Sequence, residues 1–390
     1  MSNADKSRIL IVSYTQSNRE PRVLKQVSEF SKHWHVTTAG YGESPRGVHA
    51  HIELDRAPRR RGFTRIPGLF SLLLLLRLHA VYERLEARNR STLALLGNAR
   101  WDVVVAHDAQ TLAVATRLSP KFGVLADMHE YAPKQSAPTL LWRLLYEPYY
   151  RWICRTFAAH AAAITTVSPG IVDEYRREFG IDAHLVVNAA PYCDIDPSPV
   201  SRPIRLVHSG GAAPDRRLET LVDAVVSSSA DVTLDFYLVD DDSGYLKRLA
   251  QVAAQDSRVR FNEPVPYDRL AQTLAEYDVG LHLIAPTSFN NYWSLPNKFF
   301  DYVQARLGVV IGPSPAMVDL LERYGFGTVA AGFDSDDLKD VLERMTCEDV
   351  ERWKAASHKV ARDLSGEAQA RIWGRIVGKM VTAPDEGIAS

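Results

Sequence analysis

The chain has 390 residues, 46% of them apolar and 24% charged, with a formal net charge of -1. That length is too great for one core and suits two domains of ordinary size, while the apolar content excludes a disordered chain. The near-neutral balance gives no general attraction to nucleic acid, so no nucleic-acid partner is expected.

Residues 8–13 form a short apolar strand pattern and not the longer apolar core of a signal peptide behind basic residues. Further β-branched runs at 35–39, 102–106, 123–127, 162–167 and 184–187 predict strands, separated by helical periodicity such as 19–32 and 111–118. The eleven residues 66–76 are apolar but would rise only about 17 Å as a helix, against roughly 30 Å of hydrocarbon, so they cannot span a bilayer. They follow Arg59, Arg60, Arg61 and Arg65. Residues 140–157 interleave Trp142, Tyr146, Tyr149, Tyr150 and Trp152 with Arg143, Arg151 and Arg155. Both stretches suit docking on an anionic membrane surface and equally suit core-facing helices with snorkelling arginines. Cys154, Cys193 and Cys347 are far apart with no paired spacing, which predicts a reducing compartment and no structural metal.

Residues 191–203 hold four prolines and no long apolar run, a linker signature. Beyond it the pattern resumes, with strands expected at 204–209, 232–239, 258–261, 279–284 and 309–311. Alternation of this kind predicts an α/β architecture of two doubly wound parallel sheets: 1–190, the linker 191–203, then 204–365, with 366–390 a terminal helix able to pack back on the first domain. In such sheets ligands bind beyond the carboxyl ends of strands, which directs attention to the loops there.

After the strand at 204–209 come Gly210 and Gly211, then Asp215, Arg216 and Arg217 at a helix mouth. Bare glycine backbone admits an anion closely, and a cation at a helix N-terminus is oddly placed unless an anion binds there; a plain turn with solvated arginines fits the same residues. The segment 294–301 reads Ser294, Leu295, Pro296, Asn297, Lys298, Phe299, Phe300, Asp301. Ser294 or Leu295 can cap a helix whose first turn takes Pro296, which puts Lys298 against the dipole and Asp301 on the same face. A diphosphate would satisfy the lysine and the amides, and Asp301 could accept from ribose hydroxyls; an i,i+3 surface ion pair is the alternative. In the first half, His107 with Asp108, and Asp127 with His129 and Glu130, each follow a strand. His129 could donate to a sugar hydroxyl, oriented by Asp127 or Glu130.

With these motifs the chain resembles glycosyltransferase family 4, in a branch that carries Leu-Pro-Asn-Lys, here Leu295 to Lys298. Residues 20–23, 107–112, 127–130, 166–168, 187–188 and 210–217 resemble further family segments in order. The resemblance implies a GT-B enzyme, two Rossmann-like domains facing a central cleft, that transfers sugar from a nucleoside diphosphate sugar with retention of configuration and needs no metal or other cofactor. The donor would sit in the C-terminal domain, with Arg217 and Lys298 on the diphosphate, Asp301 on the ribose, Pro264 and Val265 beside the base, and Ser294, Leu295, Asn297, Gly210 and Gly211 around it. His129 would approach the transferred sugar, with Arg19, Arg22, His107, Asp108, Asp127 and Glu130 on the acceptor side. A glycan, lipid-linked or small-molecule acceptor is expected, in the cytoplasm or at the inner face of its membrane. Trp293 stands where the family carries a first carboxylate, Arg306 where it carries a glycine, and Glu263 where a glycine precedes the base-contacting loop. These departures leave room for a catalytically silent nucleotide-sugar binder or a nucleotide-sugar epimerase on the same fold.

Overall fold

The computed structural model describes residues 6–56, 68–136 and 139–382. Valine-rich segments such as Val103–His107 and Val124–Met128 are buried along their whole length, the condition of parallel strands covered on both faces. Seven strands form the first sheet: β1 (Arg8–Gln16), β2 (His35–Tyr41), β3 (Ala50–Glu53), β4 (Val103–His107), β5 (Val124–Met128), β6 (Ala163–Thr166) and β7 (His184–Leu185). Six form the second: β8 (Ile204–Ala212), β9 (Val232–Asp240), β10 (Val259–Asn262), β11 (Val279–His282), β12 (Gly308–Ile311) and β13 (Gly327–Val329). Their orders are 3-2-1-4-5-6-7 and 10-9-8-11-12-13, so the direction of winding reverses between β1 and β4 and again between β8 and β11. Ligands of such sheets bind outside the carboxyl ends at that reversal.

The sequence pattern omits β3 and β13, which are short and carry glycine or polar residues, and it gives β7 four residues where two pair. It also ends β8 at Ser209, whereas pairing with β9 continues through Gly210, Gly211 and Ala212.

The chain divides into two compact units. The first gathers residues up to Val187, the tripeptide Ser288–Asn290 and the chain from Gln369 on; the second holds Asn188–Thr287 and Asn291–Ala368. In the first unit Ile9, Ile11, Val103 and Val105 pack with Val23, Val27 and Phe30 of the helix Pro21–Phe30, and with Trp373 and Val377 of the terminal helix Gly366–Thr382. Pro21 opens its helix at a position whose N–H needs no partner, and the Glu20 carboxylate accepts from Arg22 N. In the second unit Leu206, Leu234, Phe236 and Leu281 pack with Leu221, Val225 and Trp353.

No helix among the described residues is long and apolar enough to cross a membrane. The helix Leu69–Leu75 leaves Leu72 and Leu75 exposed, followed by Leu76 and Leu78, and it packs beside the segment Trp142–Tyr146, where Leu140, Leu141 and Leu144 are exposed too. Arg77 joins the two by donating to Leu144 O at 2.7 Å. Arg59, Arg60, Arg61 and Arg65 lie outside the described residues. Tyr149, Tyr150 and Cys154 turn inward, so the aromatic run divides between a core face and this apolar surface.

Candidate active site

In the second unit a recess of about 460 Å³ opens at the carboxyl end of β8, between it, the loop after β10 and the start of the helix Asn297–Gln304. Gly210, Gly211, Pro264, Val265, Asn297, Lys298 and Asp301 line it, together with Arg216, Tyr237, Val239, Tyr267 and Leu270. Ser294, Leu295 and Arg217 are not among the lining residues. Pro296 itself is the N-cap, in extended conformation, and Ser294 instead donates to Asn291 O at 2.9 Å. Capping by Ser294 or Leu295 is therefore not what the helix uses.

Extension of β8 carries the chain into the 3-10 turn Pro214–Arg216, with Arg217 in left-handed conformation before the helix Glu219–Ser227. That phase leaves Arg217 exposed and turns Arg216 to the glycine backbone. A Cβ on Gly210 would stand 2.8 Å from Lys298 Nζ, and the φ of +132° there suits only glycine. The bare strand end is thus what admits the lysine tip.

Lys298 is buried one residue into its helix, and its Nζ lies 3.1 Å from His208 Nε2. His208 Nδ1 is 2.9 Å from Leu281 O, which can only accept, so Nδ1 carries the proton and Nε2 receives the ammonium's hydrogen. Burial and the Lys298 charge hold both His208 and His282 neutral, far below the usual histidine range. Burial first, and Arg216 second, push Lys298 down to about 7 against the partial support of Asp301. Asp301 is itself buried and accepts from Tyr267 Oη at 3.3 Å, so an exposed Lys298–Asp301 surface pair is not the arrangement. The recess therefore presents two cations, one held near neutrality, beside bare amides and an apolar wall.

In the first unit the expected acceptor residues separate into a buried tier and a partly exposed one. Asp127 is fully buried and accepts from Arg22 Nη2 at 2.5 Å and Nε at 3.1 Å, from Gln26 Nε2 at 2.8 Å and from Thr165 Oγ1 at 2.7 Å. Arg22 also donates to Val186 O and lies 4.6 Å over the Trp373 ring. Burial opposes the Asp127 charge, but Arg22 and then His129 hold its carboxyl well below the usual range. His107 is buried as well, its Nε2 2.8 Å from Gln26 Oε1 and its Nδ1 3.0 Å from His129 Nε2. Burial pushes His107 down to about 3, so it is neutral; with its proton on Nε2, its Nδ1 accepts from His129. Arg22, His107 and Asp127 consequently support the site from behind and do not face an acceptor.

His129, Asp108 and Glu130 remain partly exposed. Burial works against a charge on His129, yet Asp108 and Asp127 outweigh it and raise its pKa. Its Nδ1 is 3.6 Å from Asp108 Oδ2 and its Nε2 is 3.7 Å from Asp127 Oδ2, so the expected Asp127, together with Asp108 and His107, orients it, and Glu130 does not. Asp108 holds φ 61° and ψ 164°, a region that side chains rarely enter and that costs about 1–3 kcal/mol. Burial and Asp108 push Glu130 up to about 7, and its Oε2 accepts from Asn290 Nδ2 at 3.2 Å. His107, Asp127 and His129 bring ligand-type atoms within 4.8 Å of one another. Those of Asp127 and His107 are already committed to protein donors and acceptors. Arg19 is exposed.

Arg306 has φ +63°, the conformation for which glycine is the usual residue, and its buried guanidinium donates to Gln304 O, Cys193 O and His358 Nδ1. It ties down a helix end and is not among the residues lining the recess, nor are Trp293 and Glu263.

Residues 22–190, which contain this charged cluster, match the family described as Glycosyl transferase 4-like domain. The chain carries a glycosyl transferase 4-like domain. It is an enzyme of glycosyl transfer on that ground. No curated protein matches the sequence. Among solved structures, sucrose-phosphate synthase from Thermosynechococcus elongatus is 14% identical, over 97% of this chain and 100% of its own, with a TM-score of 0.71. HepE from Anabaena in complex with UDP-glucose is 12% identical over 96% of this chain and 100% of its own, at 0.65. WaaG, a glycosyltransferase involved in lipopolysaccharide biosynthesis, is 13% identical over 96% and 100%, at 0.62. At such identities the likeness is one of fold, and it covers both sheets of the glycosyltransferase.

Proposed function

We propose that this glycosyltransferase moves a sugar from a nucleoside diphosphate sugar, held in the recess of the second unit, to an acceptor held by the first, with retention and without a metal. The observation that carries the reading is the buried Lys298 amine pressed against Arg216 over bare glycine backbone, a repulsion that a diphosphate would relieve. Arg216 takes the part expected of Arg217, because it is the arginine that reaches the recess. Asp301, aligned by Tyr267, would accept from ribose hydroxyls, and Val239, Val265 and Leu270 offer the base an apolar wall. Charge building on the leaving diphosphate is stabilised by both cations and by the helix N-terminus, and a phosphate oxygen can take the acceptor's proton when attack comes from the face of departure. His129, whose pKa Asp108 and Asp127 raise, and Glu130, which exchanges a proton near neutrality, would face the acceptor.

UDP is the first probe, given the UDP-glucose complex of HepE. In a thermal-shift panel of nucleoside diphosphates, one member at about 100 times its Kd should stabilise the protein by about 2.7 kcal/mol. Because Lys298 titrates near 7 and a diphosphate favours its charged form, binding at pH 8 takes up a proton, and affinity falls by up to about tenfold per pH unit above 7. Titration calorimetry in buffers of different ionisation enthalpy measures the uptake. A panel with no shift, or binding with no proton taken up, would sink the assignment.

The exposed leucines at 72, 75, 76, 78, 140, 141 and 144, flanked by Arg77 and Arg143, support an anionic membrane as the acceptor's setting. Co-sedimentation with vesicles containing phosphatidylglycerol, and none with phosphatidylcholine alone, is the expected result. Replacing Leu75 and Leu141 by Ser should release the protein; retention of binding in that double variant counts against the surface.

A further inference from the structure

His208 is fully buried in β8, two residues before Gly210, and is not among the residues lining the recess. It is nevertheless the one hydrogen-bond partner of the Lys298 amine among the described residues, at 3.1 Å. Two contacts hold its ring still. Nδ1 donates to Leu281 O at 2.9 Å, and Phe236, itself stacked on Phe261 at 5.0 Å, meets the imidazole edge-on at 6.0 Å. Leu281 O also accepts from Tyr302 Oη at 3.3 Å, and Tyr302 Oη accepts from Ser209 N at 3.3 Å. Lys298 and Tyr302 are four residues apart on one helix, hence on one face. That face reaches the same β11 carbonyl twice, directly through Tyr302 and by way of His208 from Lys298.

A fixed tautomer gives this contact a direction. With the proton on Nδ1, Nε2 offers one lone pair and accepts one hydrogen, whereas an ammonium carries three. Lys298 lines the recess, so its other two hydrogens remain for whatever enters there. A lysine ammonium is a point charge on a flexible four-carbon stem, and one immobile acceptor settles which rotamer presents it before a ligand arrives.

We propose that His208 is a positioning residue of sugar transfer: by taking one hydrogen of the Lys298 ammonium, it points the other two at the donor's diphosphate. This role rests on the donor reading above and deepens it by naming what aims the lysine. An acceptor at Nε2 favours the charged amine, so without it Lys298 would lose its proton at a lower pH than the value of about 7 that burial and Arg216 set. Around the amine, Arg216 opposes its charge and Asp301 favours it. His282 at the end of β11 is held neutral like His208, by burial and the Lys298 charge. Burial keeps the phenols of Tyr302, on the lysine's own helix, and of Tyr267, on the helix Tyr267–Leu274, protonated.

UDP, GDP, ADP, CDP and dTDP serve as probes, and the one that shifts the wild type most is titrated against each variant from about pH 5.5 to 9. His208→Asn keeps a donor where Nδ1 stands and loses the acceptor at Nε2, whereas His208→Gln returns an amide oxygen near the Nε2 position. His208→Asn should bind the diphosphate about tenfold more weakly near neutral pH, the size of one charge-assisted hydrogen bond. The pH above which its affinity falls should drop by about one unit. His208→Gln should restore the wild-type pH profile and most of the affinity. A purely structural histidine would instead lower the melting temperature in both variants and leave the pH profile where it was. An unchanged affinity and profile in His208→Asn overturns the proposal, as does a loss in His208→Gln as large as in His208→Asn. A wild type that no diphosphate shifts is the failure of the donor reading, and the role of His208 falls with it. Should His208→Asn not fold, His208→Phe, which fills the ring's volume and lacks the acceptor, takes its place with the same expected result.

Discussion

Lys298→Met is expected to lower glycosyl transfer by about 10²- to 10³-fold, the usual cost of removing one preorganised electrostatic contact to developing charge. The same substitution is expected to raise the melting temperature of the ligand-free protein at pH 6. The fold pushes Lys298 from the ordinary 10.5 down to about 7, so the native state disfavours the ammonium that the unfolded chain keeps. A folded pKa below the unfolded one means that stability is present in full above the unfolded value and is lost as pH falls through the folded one. Between about pH 7 and 10.5 wild-type stability should therefore gain on that of the methionine variant, and the difference between the two isolates Lys298. Calorimetric melts at pH 6 and pH 9.5, together with nucleoside diphosphate release from the selected donor, measure both halves. Unchanged turnover in Lys298→Met would remove the lysine from the mechanism. A gain of stability with a loss of activity is the trade-off expected where a site keeps an uncomfortable charge for its ligand.

Arg22→Met is expected to cost about 3–5 kcal/mol, because it strands the fully buried Asp127 carboxylate. At about 2–4 °C per kcal/mol for a unit of this size, the melting temperature should fall by about 6–20 °C. The folded Asp127 pKa lies below its unfolded value, so its pairing stabilises the wild type at neutral pH and that support is lost only as pH falls through the depressed value. In the variant, burial is no longer opposed by Arg22 and the carboxyl titrates higher. Part of the deficit is then recovered as pH is lowered toward 5, where Asp127 takes a proton. Melts across that range decide whether Arg22 supports the site or touches the acceptor: a variant of wild-type stability with a raised KM alone would return Arg22 to the acceptor side.

Alternation of β-branched runs with helical periodicity determined the two parallel sheets, because strand and helix periods are local properties of the chain. The position of Lys298 at a helix start was legible for the same reason, through Pro296 and the apolar spacing of Phe299, Phe300 and Val303. Short strands such as β3 and β13 lacked that signal and exist because a longer neighbour pairs with them. Which arginine reaches the recess was decided by three further residues of β8–β9 pairing, since the phase of the turn after Ala212 is set by where the ladder stops. His208 lies inside the strand expected at 204–209 with no local signal of a role, and only the approach of Lys298 and Leu281 O from distant segments gives it a tautomer and a role. In the first unit, residue type alone could not separate Arg22, His107 and Asp127, sealed behind the sheet edge, from Asp108, His129 and Glu130 at its rim. Burial is a property of packing around β1, β4, β5 and the terminal helix, and those elements lie up to the whole length of the chain apart. Sequence thus determined which chemistry gathers at the strand ends, and tertiary structure decided which of those side chains face a ligand.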